Sequence, residues 1–388
     1  MVEPARLPHL GFATRAVHGA GAPDPATGAV VPPIHLATTY AQTGVGGLVA
    51  GFEYARSGNP TRAALEAHLA ALEGASAGFA FASGLAAEDA LLRLNRPGDH
   101  VLVPDDAYGG THRLAVRVHE PTGVAVTAVD LTDLDAVAAA WRPETTMVWV
   151  ETPTNPLLRI VDIAAVAALA RDRGAVSVVD NTFATPALQQ PIGLGADVVV
   201  HSTTKYLGGH SDVVGGFVAT SDPALAERIG FLQNAAGAVP GPFDCYLVHR
   251  GATTLALRMA RHCASAAAVA TLLDDHPAVA EVRWPGLPAD PGHAVAARQM
   301  SGFGGMVSFR CVGGEAAALA VCAATEIFTL AESLGAVESL IEHPGRMTHA
   351  SVAGTANEVP ADLVRLSVGI EDVDDLLADL RHALAAAR

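Results

Sequence analysis

Asp197-Val198-Val199-Val200-His201-Ser202-Thr203-Thr204-Lys205-Tyr206-Leu207-Gly208-Gly209-His210 reads as a short apolar strand running straight into a polar turn. The run from Asp197 to Val200 shows no polar alternation, as expected of a strand covered on both faces in a parallel sheet. Such sheets bind ligands beyond the carboxyl ends of their strands, so the turn is where chemistry is expected. Its lysine, Lys205, is the only lysine among 388 residues; the other 23 basic side chains are Arg. A lysine partly withdrawn from water loses basicity and becomes a nucleophilic amine. The hydroxyls of Ser202, Thr203 and Thr204 suit a phosphate. A surface lysine left over from an arginine-rich composition fits poorly with a place just beyond a buried strand.

Outward from this stretch, apolar runs recur at Phe79–Phe81, Val101–Val103, Val124–Val129, Met147–Val150 and Ser177–Val179, with amphipathic Ala-rich segments such as Asp162–Arg173 between several of them. Strands alternating with helices predict an α/β fold with a mostly parallel central sheet. The other strand ends are also polar. Phe79–Phe81 is followed by Ala82-Ser83-Gly84-Leu85-Ala86-Ala87, a small-residue helix start whose free N–H groups suit an anion. Met147–Val150 is followed by Glu151-Thr152-Pro153-Thr154-Asn155-Pro156, and Ser177–Val179 by Asp180-Asn181-Thr182-Phe183. An Asp ending a buried strand is costly unless it meets a cation or donors, although capping of the next segment would also explain it. A reactive lysine, an anion cradle and a buried carboxylate are the set that a pyridoxal 5'-phosphate (PLP) site requires: Schiff-base amine, phosphate site, and partner for the pyridine nitrogen. Signatures of nucleotide P-loops, zinc proteases, serine hydrolases and dinucleotide folds are missing.

Residues 1–60 are rich in Gly, Pro and Thr with little periodicity and read as an extended arm that must lie against its own body or a neighbouring subunit. Pro60–Gly74 has helical spacing and ends at Gly. We expect a large domain over 61–243 and a smaller α/β domain over 244–388, with helices at Ala252–Leu273, Glu315–Thr325 and Val373–Ala387 and strands at Met306–Arg310 and Leu363–Ser367. The formal net charge of −16 argues against nucleic acid and against an anionic membrane surface. Four cysteines without a C-x-x-C pair indicate neither a metal site nor a redox motif, and with no apolar leader or membrane-length run they point to a cytoplasmic protein.

Taken together, the segments resemble the Cys/Met-metabolism family of PLP enzymes, in particular its cystathionine γ-synthases and γ-lyases. The resemblance runs from Ala13-Thr14-Arg15 to Arg365-Leu366-Ser367-Val368-Gly369-Ile370-Glu371-Asp372 and includes Tyr54-Ala55-Arg56-Ser57-Gly58-Asn59-Pro60-Thr61-Arg62 and the 180–183 and 201–212 segments. It implies the aspartate-aminotransferase-like fold (fold type I) and PLP as cofactor. By position, Lys205 resembles the lysine that bonds covalently to the cofactor, and Asp180 the partner of its ring nitrogen. Ser202, Thr204 and the backbone of Gly84 and Leu85 resemble the phosphate cradle. Leu85 departs from the usual Met, with little effect expected on a backbone contact. Tyr54 and Arg56 resemble a pair that reaches the phosphate in the neighbouring subunit, which implies a homotetramer built as a dimer of site-sharing dimers. Tyr108 resembles the ring stacked on the cofactor, and Asn155, Ser333 and Arg365 the groups that hold the substrate α-carboxylate and orient the cofactor.

The family acts on small amino acids derived from homoserine by γ-replacement or γ-elimination. Proton removal at Cα and then Cβ needs one mobile base near both carbons, for which Lys205 is the candidate, with Tyr108 assisting the leaving group. Gly110 stands where methionine γ-lyases typically carry Cys, which argues against methionine as main substrate. Glu338 matches a Glu of cystathionine-handling members and is a candidate for a distal amino group. A specialised γ-replacement enzyme, a methionine γ-lyase-like activity and a catalytically silent PLP-binding protein are the alternatives; colour without turnover on any homoserine derivative would favour the last.

Overall fold

The computed structural model describes residues 9–19, 21–348 and 358–386. The expected end of the last helix at Ala387 and both chain ends lie outside them. Two sheets organise the chain. The larger contains β1 (Ala77–Phe81), β2 (His100–Pro104), β3 (Ala125–Val129), β4 (Thr145–Glu151), β5 (Val176–Asp180), β6 (Val198–Ser202) and β7 (Gly216–Thr220). Its order is β1-β7-β6-β5-β4-β2-β3. Strands β3, β2, β4, β5 and β6 are mutually parallel, while β7 runs antiparallel to both β6 and β1. β7 is the strand that the sequence pattern does not announce. Phe217-Val218-Ala219 is an apolar run like its neighbours, but it follows β6 with no helix to carry a crossover, and it returns antiparallel.

The second sheet has the order β10-β11-β12-β9-β8, formed by β8 (Val279–Arg283), β9 (Met306–Cys311), β10 (Thr329–Leu330), β11 (Leu340–Glu342) and β12 (Leu363–Ser367). Its apolar face is covered by the helices Leu255–Asp274, Gly314–Ala324 and Val373–Ala386, whose inward residues join Val307, Phe309, Val364 and Leu366 in one buried cluster. The helix expected to start at Ala252 starts at Leu255, because Ala252 ends the preceding helix Pro242–Ala252.

Local chemistry sets the helix starts. Helix α1 (Phe12–His18) gives the N-terminal arm a short ordered piece, anchored by buried Ala16. Helix α2 (Pro60–Glu73) begins on Asn59, whose side chain accepts from the N–H groups of Thr61 and Arg62, with Pro at the first helical position. It stops at Gly74, φ +70°, a left-handed stop that favours Gly. Helix α3 (Gly84–Leu92) begins on Ser83, whose hydroxyl accepts from Ala86 N–H. Between α1 and α2 the chain has only isolated bridges, and Val30, Leu36 and Val45 lie exposed. No helix among the described residues is long and apolar enough to cross a membrane.

Candidate active site

The period of two along a strand decides which side chains meet. Met147 and Trp149 of β4, Val178 of β5, and Val198 and Val200 of β6 pack into one buried cluster with Ala87 and Leu91 of α3. The next residues on that same face are Glu151, Asp180 and Ser202, at the carboxyl ends of their strands. They line a cavity of about 250 Å³ together with Gly84, Leu85 and Glu88 of α3, and with Tyr108, Asn155, Thr204, Lys205, Ser333 and Arg365. The site therefore lies where the rule for parallel sheets places ligands.

Lys205 donates to the hydroxyl of Ser333 at 2.8 Å. Burial, and next the nearby Arg365, push its amine down to about 8, against the pull of Glu342 and Glu332. Ser333 holds φ +91°, a left-handed conformation that costs about 1–3 kcal/mol in a residue other than Gly. Neighbours fix the loop: Gly335 N–H donates to Ser367 Oγ at 2.8 Å and Val337 N–H to Gly209 O at 3.0 Å. Gly335, at φ +80°, sits so close that a Cβ would meet Tyr206 N at 2.7 Å. The backbone carbonyl of Ser333 accepts from Arg365 at 2.9 Å. Arg365 also donates to Asn155 Oδ1 at 2.7 Å and pairs with Glu342 at 3.0 Å. Glu342 lies directly across β11–β12 from Arg365. Arg365 is thus held by three groups before any substrate arrives.

At the other end, the first turn of α3 meets Ser202. A Cβ on Gly84 would lie 2.9 Å from Ser202 Cβ, so only Gly lets the helix start approach this strand end. The Thr204 hydroxyl accepts from Gly215 N–H at 3.0 Å. Between the two ends, Asp180 accepts from Thr182 N–H at 2.9 Å, and burial pushes its carboxyl up. Glu151 accepts from the N–H groups of Tyr108 at 2.9 Å and Asn155 at 2.7 Å, tying the Tyr108 turn to the β4 loop. A Cβ on Gly110 would meet the Tyr108 ring at 2.3 Å, so the ring position depends on a bare residue there. These residues fit PLP: a weakly basic buried amine, a carboxylate, a helix start beside hydroxyls, and an aromatic ring surround one cavity of suitable size.

Three of the sequence candidates stand apart from this cavity. Tyr54 is exposed; the Arg56 guanidinium lies 5.7 Å from the Tyr54 ring and donates to Asn234 O at 3.0 Å. Glu338 bonds the Ser211 hydroxyl and lines an adjoining opening that shares Thr204, Val214, Glu332 and Ser333 with the cavity. Conversely, Glu88, Glu332 and Glu342 carry no signal in the sequence. Glu342 ends a three-residue strand too short to show a pattern, and Glu88 is one of two adjacent acids, with Asp89, in an otherwise ordinary helix. Among the described residues no cluster of His, Cys, Asp and Glu is arranged to hold a metal.

Known proteins resemble this chain along nearly its whole length. The profile described as "Cys/Met metabolism PLP-dependent enzyme" matches residues 13–385. Cystathionine gamma-synthase of Mycobacterium bovis is 64% identical over 375 residues, covering 96% of this chain and 97% of that protein. Cystathionine beta-lyase of Lactococcus lactis is 52% identical over 96% of this chain and 98% of its own length. Among solved structures, cystathionine gamma synthase of Xanthomonas oryzae in complex with aminoacrylate and cysteine superposes with a TM-score of 0.94 at 47% identity, covering 97% of this chain and 98% of that one.

Proposed function

The chain belongs to the Cys/Met metabolism family of PLP-dependent enzymes, and on that premise we propose that it catalyses γ-replacement or γ-elimination on homoserine-derived amino acids. Its fold is fold type I and its cofactor is pyridoxal 5'-phosphate. The 64% identity to a cystathionine gamma-synthase favours the synthase direction, in which an O-acylhomoserine and cysteine give cystathionine. The observation that carries the reading is the meeting of Lys205, Asp180 and Arg365 around one cavity.

Bound PLP supplies an electron-accepting ring conjugated to the substrate α-carbon. The protein's own groups do the rest. Lys205 would carry the covalent attachment and, as a free amine lowered to about 8, would move protons at Cα and Cβ. Ser333 aims that amine through its 2.8 Å bond. Arg365, already aligned by Asn155, Ser333 and Glu342, offers a fork to the α-carboxylate. Asp180 would pair with the ring nitrogen, and Tyr108 would stack on the ring and assist the leaving group. The first-turn N–H groups of Gly84 and Leu85, with Ser202 and Thr204, would hold the phosphate. Tyr54 and Arg56 complete that cradle from a second subunit: they lie outside their own chain's cavity, on an arm with exposed apolar side chains. We read the assembly as a tetramer of two such dimers, each built on the arm over 1–60, the cofactor domain over 61–243 and the domain over 244–388. Glu338, beside the cavity mouth, receives the distal amino group of cystathionine or cysteine.

Product analysis tests the assignment. O-succinylhomoserine or O-acetylhomoserine with cysteine should yield cystathionine. Cystathionine alone giving cysteine and 2-oxobutanoate would assign the lyase direction. Homocysteine and pyruvate from cystathionine would instead place it with the relatives named beta-lyases, which the 52% identity keeps as a second reading.

A further inference from the structure

Of the four carboxyl groups that line the cavity, Glu88, Glu151, Asp180 and Glu332, the first three form a cluster in which the charge on Asp180 acts on both Glu88 and Glu151. Three anions this close in a poorly solvated space cannot all persist, so the cluster must hold a proton. Burial, and next the charge on Asp180, push the Glu151 carboxyl well up as they do that of Glu88, so hydrogen-bond donors decide where the proton sits. Both oxygens of Glu151 accept backbone N–H groups, and Asp180 accepts from Thr182 with His201 nearby. Glu88 differs. It is only 4% exposed, its Oε2 has no hydrogen-bond partner, and its one polar helper is the neighbouring Thr111. An anion is least stable where donors are fewest.

We propose that Glu88 is a positioning residue of the cofactor site, holding the cluster's proton and thereby leaving the negative charge on Asp180, where the ring nitrogen would meet it. This inference rests on the function proposed above. Glu88 can also carry the charge itself once Asp180 cannot, because the charge on Asp180 is one of the causes that keep it protonated; burial is the larger one.

Two measurements with Glu88→Gln, Asp180→Asn and the double variant test it. Burial and Asp180 push Glu88 up to about 8 from its ordinary 4.5. Between those values the folded state holds a proton that the unfolded chain has released, so stability falls as pH rises. In urea unfolding of the cofactor-free protein, Glu88→Gln should therefore gain stability over wild type by a margin that widens from about pH 4.5 to about pH 8. A margin that stays constant with pH overturns the proposal. In PLP titrations, Glu88→Gln added to Asp180→Asn should cost about ten-fold in affinity, more than it costs in the wild-type background. Additive losses mean that no charge passes between the two groups, and likewise overturn it. Failure of the wild type to bind PLP would count against the proposed function, whereas the urea series judges Glu88 without the cofactor.

Discussion

At the scale of single residues, basicity and bulk decide the site. Lys205 has an ordinary value of 10.5 and is lowered to about 8, first by burial and then by Arg365. Both effects penalise the charged amine, so the neutral nucleophile appears at lower pH than for an exposed lysine. In cofactor-free protein the rate of PLP attachment should rise through about pH 8 and level off above it. Borohydride trapping followed by peptide mapping should find the adduct on Lys205 and lose it in Lys205→Ala; an adduct surviving that change would move the linkage elsewhere. Gly110 is a question of space. Gly110→Cys drives the Tyr108 ring from its place, because even a Cβ comes within 2.3 Å of it. We expect a loss of about ten-fold or more in kcat/KM with a shifted cofactor absorption band; unaltered absorption and kinetics would show that the ring has room. Both residues are legible in the sequence, Lys205 because it is the only lysine and Gly110 through family resemblance. Glu88 is not, because burial of a helical acid is settled by the strands beneath it and leaves no local mark.

At the scale of elements, the strand ends of the large sheet are readable because their apolar runs end in polar residues of evident use. The second sheet is only partly readable: β9 and β12 are six and five residues long, but β10 and β11 are only two and three. The Glu342–Arg365 pair therefore emerges only from the β11–β12 register. Both side chains are almost fully buried, so removing one partner leaves an unmatched charge and costs about 3–5 kcal/mol. Glu342→Gln should lower stability by that order in urea unfolding. It should also move the Lys205 titration below its wild-type position, because Glu342 is a group that raises it. An unchanged pH profile for PLP attachment would show that the pair acts on stability alone.

At the scale of the whole molecule, the proposed role of the arm lies in a second copy of the chain. Its sequence shows little periodicity, and apart from α1 its described part contributes almost nothing regular. Arg62 donates to the carbonyls of Ala55 at 2.8 Å and Arg56 at 3.0 Å, fixing the loop that carries Tyr54 and Arg56. A loop so held, yet outside its own cavity, suits the role proposed for it in a neighbouring subunit. A two-fold dimer would place each loop over the partner's site. Complementation follows from that geometry. Lys205→Ala and a Tyr54→Phe/Arg56→Ala double variant should each be nearly inactive alone. When the two are mixed and allowed to exchange subunits, every hybrid dimer has one site with both defects and one with neither. About half of the dimers are hybrids, so activity should recover to about a quarter of wild type. If each chain built its site alone, every site would keep one defect and the mixture would stay inactive whatever the exchange.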